Sequence, residues 1–332
     1  MEAIKASIII PNLNGAGWLK DAIESVWVQT EQAFELIVVD NGSTDESLAI
    51  AQSYVGRPRY TLLCNADNTG FSHAVNQGIA IARGGYVVLF NNDAFAEPEW
   101  LAELIKTADA DEKIFAVSSL MLRYYAPELA DDAGDYVTLL GFACKRGDGL
   151  KASRYQKPCR VFSACGGAAL YRKSILDKIG VFDELFFAYY EDVDLSWRAN
   201  NFGYKNVYCP TARCRHICGA TTGAVRYNPF KSIQSGRNSI LLPYKNMPVG
   251  MLALNLIPLA LGYLLKTVMF RLRGFGGDYA KGFAEARTAL PRLQKPKFAW
   301  RNLPNYLWVE ASLCVGLAQY LVYRVQRALK IT

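Results

Sequence analysis

Short apolar runs that end in asparagine and aspartate alternate with amphipathic segments through the first 90 residues. The apolar runs cover residues 6–11, 34–40, 60–64 and 86–90. Apolar residues at helical spacing lie in the intervening segments, at residues 19–27, 43–54 and 71–82. Strands that alternate with helices predict an α/β fold with a doubly wound, mostly parallel sheet.

Polar clusters follow three of these predicted strands, at residues 11–14, 40–43 and 91–93. Ligands of such folds bind where parallel strands end, so the three clusters are candidates for one binding site. The chain has no G-x-G-x-x-G after its first strand and no G-x-x-x-x-G-K-[ST]. A dinucleotide-dependent dehydrogenase and a P-loop NTPase therefore lose their main support.

Two aspartates in these clusters have chemistry that suits a nucleotide and a cation. Asp40 is placed to accept a hydrogen bond from the imide N–H of uracil or thymine, or to cap the turn at Asn41 and Gly42. Asp93 is a candidate ligand for Mg²⁺ or Mn²⁺, because hard cations prefer carboxylate oxygens. The alternative for Asp93 is a structural turn residue ahead of Pro98.

A third acidic group, Glu191-Asp192-Val193-Asp194, is flanked by aromatic residues. Asp194 and Arg198 are four residues apart and predict an ion pair on a helix surface. Glu191 suits the positive end of that helix. Asp192 is then the carboxylate with the greatest freedom to face a cleft and act as a general base, although a structural role stays open.

His216 lies among Cys209, Cys214 and Cys218, which raises the hypothesis of a zinc site. The spacing lacks a C-x₂-C pair and no second cluster completes four ligands. Cysteines packed as small apolar side chains are the alternative, and we favour it.

Taken in order, these motifs resemble those of the family 2 glycosyltransferases, and specifically the rhamnosyltransferase-like subgroup of bacterial surface polysaccharide assembly. The resemblance spans about residues 6–245. The segments that carry it are residues 7–14, 38–45, 68–71, 89–93, 166–172, 180–187 and 191–195. It implies the GT-A fold, with a nucleotide-sugar donor and a divalent metal.

The resemblance also implies roles for individual residues. Asp192 matches the catalytic base and Asp93 the metal ligand, although Asn91 stands where many members have a first aspartate. His216 lies 24 residues beyond Asp192, where some relatives place a histidine that completes the metal site. The implied donor nucleotide site consists of Pro11, Asn12, Asn14, Asp40, Asn68 and Asn92, with Arg237 at the diphosphate. The implied donor and acceptor pocket includes Gly166, Gly167 and Glu191.

Charge divides the chain into two parts. Residues 1–230 carry 22 Lys and Arg against 27 Asp and Glu, whereas residues 231–332 carry 15 against three. The basic part is also apolar, with 17 uncharged residues at 249–265, so it favours an anionic membrane surface over nucleic acid as its partner. We predict a catalytic domain at 1–245 and a helical membrane-association region at 246–332 that lies in the interface or re-enters it. A soluble helical subdomain or an oligomer interface is the alternative.

Together the resemblance and the composition predict an inverting glycosyltransferase at the cytoplasmic face of the inner membrane. The predicted donor is dTDP-L-rhamnose, and the predicted acceptor is a hydroxyl of a polyprenyl-diphosphate-linked glycan. A UDP-sugar donor, or a nucleotidyltransferase activity on a similar strand-and-loop site, is the alternative. Residues 12–15 lack the basic residues that a nucleotidyltransferase loop is expected to carry.

Overall fold

A computed structural model describes residues 3–217 and 227–329. Its strands are β1 (Ala6–Asn12), β2 (Phe34–Asn41), β3 (Tyr60–Asn65), β4 (Tyr86–Phe90), β5 (Ala94–Ala96), β6 (Ile114–Arg123), β7 (Ala126–Asp132), β8 (Asp135–Val137), β9 (Ala143–Lys145), β10 (Cys159–Val161), β11 (Ala168–Arg172) and β12 (Lys205–His216). Its α-helices are α1 (Leu19–Trp27), α2 (Ser47–Gln52), α3 (Phe71–Ile81), α4 (Trp100–Asp109), α5 (Lys173–Ile179), α6 (Glu191–Asn201), α7 (Pro229–Asn246), α8 (Val249–Leu254), α9 (Leu256–Leu272), α10 (Gly276–Ala289) and α11 (Leu303–Ala328). The four strands predicted from the apolar runs are confirmed.

One mixed sheet runs through the described residues in the order β10-β12-β6-β11-β4-β1-β2-β3. Strands β4, β1, β2 and β3 pair in parallel, as the alternation of strands and helices predicts. Strand β11 lies antiparallel between β4 and β6, and β12 pairs in parallel with β6. The parallel half brings the ends of β1, β2 and β4 to one edge, and β11 and β12 extend that edge into the second half of the chain.

Both faces of the sheet are covered, which explains why residues 36–39 of β2 and all of β4 are apolar. All eight residues of β2 and all five of β4 are buried. Alternate side chains of β1 enter two different clusters: Ile8 and Ile10 pack towards α1 and α4, whereas Ile9 packs towards α3 and α5. Strands buried on both faces cannot show the polar alternation of a half-exposed strand.

The C-terminal helices complete a third cluster, which draws on both sides of residue 245. Val193 and Trp197 of α6 pack there with Leu259 of α9 and Leu313 of α11. Helices α9 and α11 also hold the β8–β9 hairpin, because Gly262 and Gly316 leave room for the carbonyl oxygens of Leu140 and Val137. The predicted domain boundary at 245 stays a prediction, but the helices beyond it share a core with α6.

In the part of the chain that the structure describes, no helix is both long and apolar enough to cross a bilayer.

Candidate active site

Asn12 connects the ends of three strands. Its side-chain amide donates to Oδ1 of Asp40 at 2.7 Å and to the hydroxyl of Ser47 at 2.9 Å. Its side-chain oxygen accepts from the amide of Asn92 at 2.8 Å. Asn12 and Asp40 are register partners in the parallel pair β1–β2, so adjacent strands dictate this contact. Three residues of the predicted donor site therefore form one buried network.

The turn after β2 uses both carboxylate oxygens of Asp40. Oδ1 also accepts from the hydroxyl of Ser43 at 2.6 Å, and Oδ2 accepts from its backbone N–H at 3.1 Å. The turn-capping role considered for Asp40 is thus present in the structure. Since Asp40 is almost completely buried, its contact with a base stays a prediction. Asn14 extends the same turn by accepting from the backbone N–H of Thr44 at 2.8 Å.

Asn41 organises the loop that carries Asn68, a role that the sequence pattern does not reveal. Its amide donates to Oδ1 of Asn68 at 3.0 Å, and its oxygen accepts from the backbone N–H of Thr69 at 3.1 Å. Gly42 has φ +78°, and any side chain there would meet the backbone of Asp67. The Asn68 loop is therefore held directly against the end of β2. Pro11, at the end of β1, is partly buried beside this edge.

The two predicted metal ligands lie together. Nε2 of His216 is 3.1 Å from Oδ1 of Asp93, and both side chains are buried. The antiparallel pairing of β12 with β5 places them there, with His216 opposite Ala94. Nδ1 of His216 lies 2.9 Å from Oδ2 of Asp131, which in turn pairs with Lys145 at 2.9 Å. A carboxylate on Nδ1 directs the other nitrogen towards Asp93.

This geometry fits a divalent cation. With Nδ1 donating to Asp131, Nε2 of His216 and Oδ1 of Asp93 are two acceptors that face each other. Neighbouring ligands of an octahedral cation with bonds near 2.1 Å lie about 3 Å apart, which the observed separation matches. Burial alone would raise the pKa of Asp131, but Lys145 and His216 outweigh it and hold that pKa well below its usual range. Asp131 therefore stays ionised and orients His216.

The cysteines near His216 do not form a metal centre in the described residues. Cys214 is buried in the main hydrophobic cluster, and Cys209 packs there with its thiol near the hydroxyl of Thr107 at 3.2 Å. Apolar packing is confirmed for these two cysteines, whereas Cys218 lies outside the described residues. Besides Asp93, Nε2 of His216 contacts the side-chain amide of Asn91 at 3.3 Å.

Hydrogen bonds of two adjacent glycines, Gly166 and Gly167, connect Asp192 to the segment that carries Asp93. Oδ2 of Asp192 accepts from the backbone N–H of Gly166 at 2.8 Å, and its Oδ1 accepts from that of Val193 at 2.7 Å. The next residue, Gly167, accepts at its carbonyl from the backbone N–H of Asn91 at 2.9 Å. A Cβ on Gly167 would stand 3.1 Å from the amide of Asn91. Backbone hydrogen bonds of adjacent residues therefore connect the candidate base to the segment that carries Asp93.

Burial raises the pKa of both acids at the start of α6. The pKa of Asp192 lies above its usual range, and the two backbone N–H donors only partly offset the effect of burial. The pKa of Glu191 is raised well above its usual range by burial and by the charge of Asp192. One oxygen of Glu191 is buried with no hydrogen-bond partner. Asp192 thus has the basicity that a proton acceptor needs, and Glu191 retains its proton more readily.

A further acidic group lies close to Asp192. Asp132, Asp135 and Cys165 each offer one atom that could bind a metal, and these three atoms lie within 4.8 Å of one another. Burial raises the pKa of Asp132 to about 6, and burial together with Asp132 and Asp192 raises that of Asp135 well above its usual range. Because Asp132 binds a proton more tightly when folded, its contribution to stability decreases as the pH rises through about 6. Asp135 contributes in the same direction.

The segment before α6 is strained and is held from α7. Tyr189 and Tyr190 have φ values of +69° and +72°, which non-glycine residues rarely adopt. The amide of Asn238 donates to the carbonyl oxygens of Ala188 and Tyr189 at 3.0 and 2.8 Å. The guanidinium of Arg237 donates to the carbonyl of Leu185. Arg237 therefore braces the loop that positions Asp192, and its predicted contact with a diphosphate stays a prediction.

The predicted ion pair of α6 is present but is not on the surface. Arg198 lies 3.1 Å from Asp194, and both side chains are buried. Asp194 also pairs with Lys245 at 2.8 Å and accepts from Asn246 at 2.8 Å. The surface location was wrong because α7 covers this face of α6. With Asp194 occupied in this way, Asp192 remains the acid of this group that faces the glycines.

Known proteins share both the sequence pattern and the fold. The profile of Glycosyl transferase family 2 matches residues 7–180, which is more than half of the chain. The chain belongs to glycosyl transferase family 2. The match includes Asp40, Asp93 and the two glycines, and it ends before Asp192 and His216.

Among curated relatives, a putative glycosyltransferase of Bacillus subtilis (strain 168), EpsH, is 29% identical over 131 residues, covering 40% of this chain and 36% of EpsH. An uncharacterized glycosyltransferase of Rickettsia prowazekii (strain Madrid E), RP339, is 33% identical over 195 residues, covering 57% of this chain and 56% of RP339. The chain thus matches about a third to just over half the length of these two relatives.

A solved structure shows the same fold at low sequence identity. It is the mannosyltransferase PcManGT of Pyrobaculum calidifontis in complex with GDP-Man and Mn²⁺, with a TM-score of 0.54 and 17% identity. The likeness covers 98% of this chain and 88% of that one. The GT-A fold that the sequence resemblance implied is therefore confirmed for this family member, including the mixed, mostly parallel sheet.

Proposed function

We propose that this chain is an inverting glycosyltransferase that moves a sugar from a nucleoside diphosphate donor to an acceptor hydroxyl. One observation supports this above all: Gly166 and Gly167 connect Asp192 to the segment of Asp93 and His216. A carboxylate of raised basicity and a pair of buried cation ligands then border one crevice at the carboxyl edge of the sheet.

In the proposed reaction, Asp192 accepts the proton of the acceptor hydroxyl as its oxygen attacks the anomeric carbon. The bond from that carbon to the diphosphate breaks on the opposite face, so the anomeric configuration inverts. Asp93 and His216 would hold Mg²⁺ or Mn²⁺, and the bound cation would neutralise charge on the leaving diphosphate. Asn12 and Asp40 are proposed to fix the nucleotide end, and Gly166 leaves room for a sugar beside Asp192.

For the donor we propose dTDP-L-rhamnose, on the resemblance to the rhamnosyltransferase-like subgroup, with UDP-sugars as the alternative. The test is a panel of dTDP-, UDP- and GDP-sugars, scored by thermal stabilisation and by the nucleotide released. Stabilisation by a dTDP- or UDP-sugar with release of nucleoside diphosphate is expected. Release of pyrophosphate would instead show nucleotidyl transfer, and no stabilisation by any donor would contradict the proposal.

For the acceptor we propose a hydroxyl of a polyprenyl-diphosphate-linked glycan, reached at the cytoplasmic face of the inner membrane. The support is the apolar, basic C-terminal part, where α9 and α11 expose rows of large apolar side chains. Ile257, Leu264 and Leu272 on α9 are 81, 60 and 84% exposed, and Leu307 and Val325 on α11 are 63 and 57% exposed. Apolar faces of this extent mark interaction surfaces, and the cationic flanks favour an anionic membrane.

The rate of transfer is expected to fall as the pH is lowered. The midpoint of this fall should lie above the pKa of an ordinary aspartate, which is about 3.9. Asp192 accepts a proton only when it is ionised, and burial raises its pKa. The measurement is kcat/KM against pH at saturating metal, with the affinity for donor followed over the same range. The variant Asp192→Glu should move this acid limb. An acid limb at the ordinary aspartate value would contradict the assignment.

Asn238→Ala is expected to lower kcat about tenfold while the affinity for donor changes little, because two carbonyl groups of the strained segment lose their donor. The matched control is Asn228→Ala, which removes the N-cap of the same helix at a similar cost in stability, about 1 kcal/mol. Steady-state kinetics and thermal unfolding of both variants separate positioning from general destabilisation. An equal loss of kcat in the two variants would show that Asn238 acts through stability alone.

A further inference from the structure

A long apolar groove lies between α8 and the start of α11. It has a volume of about 740 Å³ and is lined by residues of 248–254 and 295–310. We call it the α8–α11 groove. Its walls include Val249, Leu254, Trp300 and Leu307, whose side chains are 63 to 78% exposed. The volume is within the range of small-molecule sites, and exposed apolar walls of this size need an apolar occupant.

The charged groups of the α8–α11 groove are two lysines and one glutamate. Lys297 is exposed, and Lys295 lies with its ammonium 5.0 Å from the ring centre of Tyr244. The single acid, Glu310, accepts from the amide of Asn255 at 2.8 Å and so has a partner within the protein. Two cations beside an apolar channel complement a ligand with an apolar chain and an anionic end.

The α8–α11 groove is continuous with the apolar faces that we propose for membrane docking. Val249 and Leu254 lead into α9 with its exposed Ile257, and Leu307 belongs to the exposed row of α11. Trp300 stands at its wall, and tryptophan concentrates at membrane–water interfaces. An occupant that is itself part of the membrane meets all of these conditions.

The occupant differs from the reacting sugar. Asp192 lies at the beginning of α6, whereas Asn201 at its end lines a small cavity that shares Lys297 with the groove. Nine residues of helix separate these points by about 14 Å. A ligand in the α8–α11 groove would therefore hold the protein on the membrane and leave the crevice of Asp192 open.

We propose that the α8–α11 groove binds one acyl chain of an anionic membrane lipid, whose phosphate contacts Lys295 and Lys297. This site rests on the membrane association proposed above and adds a defined lipid position to it. The lipid would fix the rotation of the protein on the bilayer, because a chain held between two helices permits fewer orientations than a flat apolar face.

The test measures, by titration calorimetry, the binding of dihexanoylphosphatidic acid to the full chain. The lipid is kept below its critical micelle concentration. Gly250→Trp should abolish saturable binding, because a side chain at Gly250 meets open space and would fill the groove. Gly277→Trp is the matched control, since Gly277 also has open space but lies on α10 outside the groove. The double variant Lys295→Ala and Lys297→Ala should weaken binding about 20-fold.

Three results of this titration and of a measurement of oligomeric state would overturn the proposal. The first is equal affinity of the wild type and Gly250→Trp for phosphatidic acid. The second is that inorganic phosphate binds the wild type as tightly as phosphatidic acid does. The third is a dimer in the wild type that Gly250→Trp abolishes, which would assign the groove to a second copy. Dihexanoylphosphatidylcholine, which has the same chains, should bind more weakly than phosphatidic acid. Equal binding of the two lipids would contradict the proposed contact of the phosphate with Lys295 and Lys297.

Vesicles of phosphatidylcholine and phosphatidylglycerol separate this site from the membrane proposal. The wild type and Gly250→Trp could both sediment with vesicles while neither binds monomeric lipid. That result would overturn the lipid site in the groove and leave the membrane docking proposal intact. No sedimentation of either protein would overturn both proposals. Neither outcome depends on the activity of the enzyme.

Discussion

Replacing Asp192 with asparagine is expected to lower kcat by about 10²- to 10⁴-fold, the range that general base catalysis contributes. The amide cannot accept the proton of an acceptor hydroxyl. Donor binding should persist, because none of the residues proposed for the nucleotide or the cation lies on α6, the helix that carries Asp192. The measurements are single-turnover transfer and calorimetric titration of the donor with metal present.

The fold should survive this substitution. The side chain of asparagine keeps one acceptor for the N–H groups of Gly166 and Val193 and loses the other. Against that loss, the raised pKa of Asp192 means that the folded state disfavours its charge, and the neutral amide removes this cost. Asp177→Asn, at an exposed position on α5, is the matched control. Wild-type turnover in Asp192→Asn would remove the base assignment.

Local sequence pattern was sufficient for the first half of the sheet. Buried strands β1, β2 and β4 are continuous apolar runs, and a polar cluster follows each of them, so both the strands and their functional edge were predictable. The start of the second helix is the exception, because the predicted helical segment begins at residue 43, where the hydroxyl of Ser43 donates to Asp40 instead. Helix α2 begins only at Ser47, whose backbone N–H donates to Asp45 at 3.0 Å.

The remaining site residues depend on contacts between distant parts of the chain. Asp131 is 85 residues from His216, and Asn238 is 49 residues from Tyr189, so no periodicity connects them. The pairing of β12 with β5, which brings His216 to Asp93, likewise joins segments more than 100 residues apart. The family resemblance supplied His216, whereas its carboxylate partner on β7 required the structure.

The sequence nevertheless singled out the three acids of the proposed mechanism. Asp40 lies in β2, Asp93 follows β4 and Asp192 lies in the first turn of α6, and each could have been a turn or cap residue. The structure shows that Asp40 does cap a turn, that Asp93 faces a histidine, and that Asp192 accepts from the backbone N–H of Gly166. A residue can therefore stabilise the loop and still border the binding site, since the same turn must be rigid to hold a nucleotide.

Asp93→Ala is expected to abolish the metal-dependent part of the affinity for donor, with a loss of at least about 10- to 100-fold. The substitution removes the carboxylate oxygen that faces Nε2 of His216 at 3.1 Å, and one nitrogen alone is a weak ligand for Mg²⁺ or Mn²⁺. The measurements are Mn²⁺ binding by electron paramagnetic resonance and donor titrations with and without chelator. Asp93→Asn keeps the shape of the side chain and tests the loss of charge separately.

Two matched variants define what this result would mean. Asp131→Asn retains an acceptor for Nδ1 of His216 but loses the charge, so Mn²⁺ affinity should fall less than in Asp93→Ala. Asp148→Asn alters a carboxylate paired with Arg123 outside the metal pair and should leave Mn²⁺ binding unchanged. If chelator had no effect on donor affinity in the wild type, or if Asp93→Ala bound Mn²⁺ normally, the buried pair would be a structural ion pair. Charge on the leaving diphosphate would then have to be met by protein cations, of which Arg237 beside the Asp192 loop is the first to test.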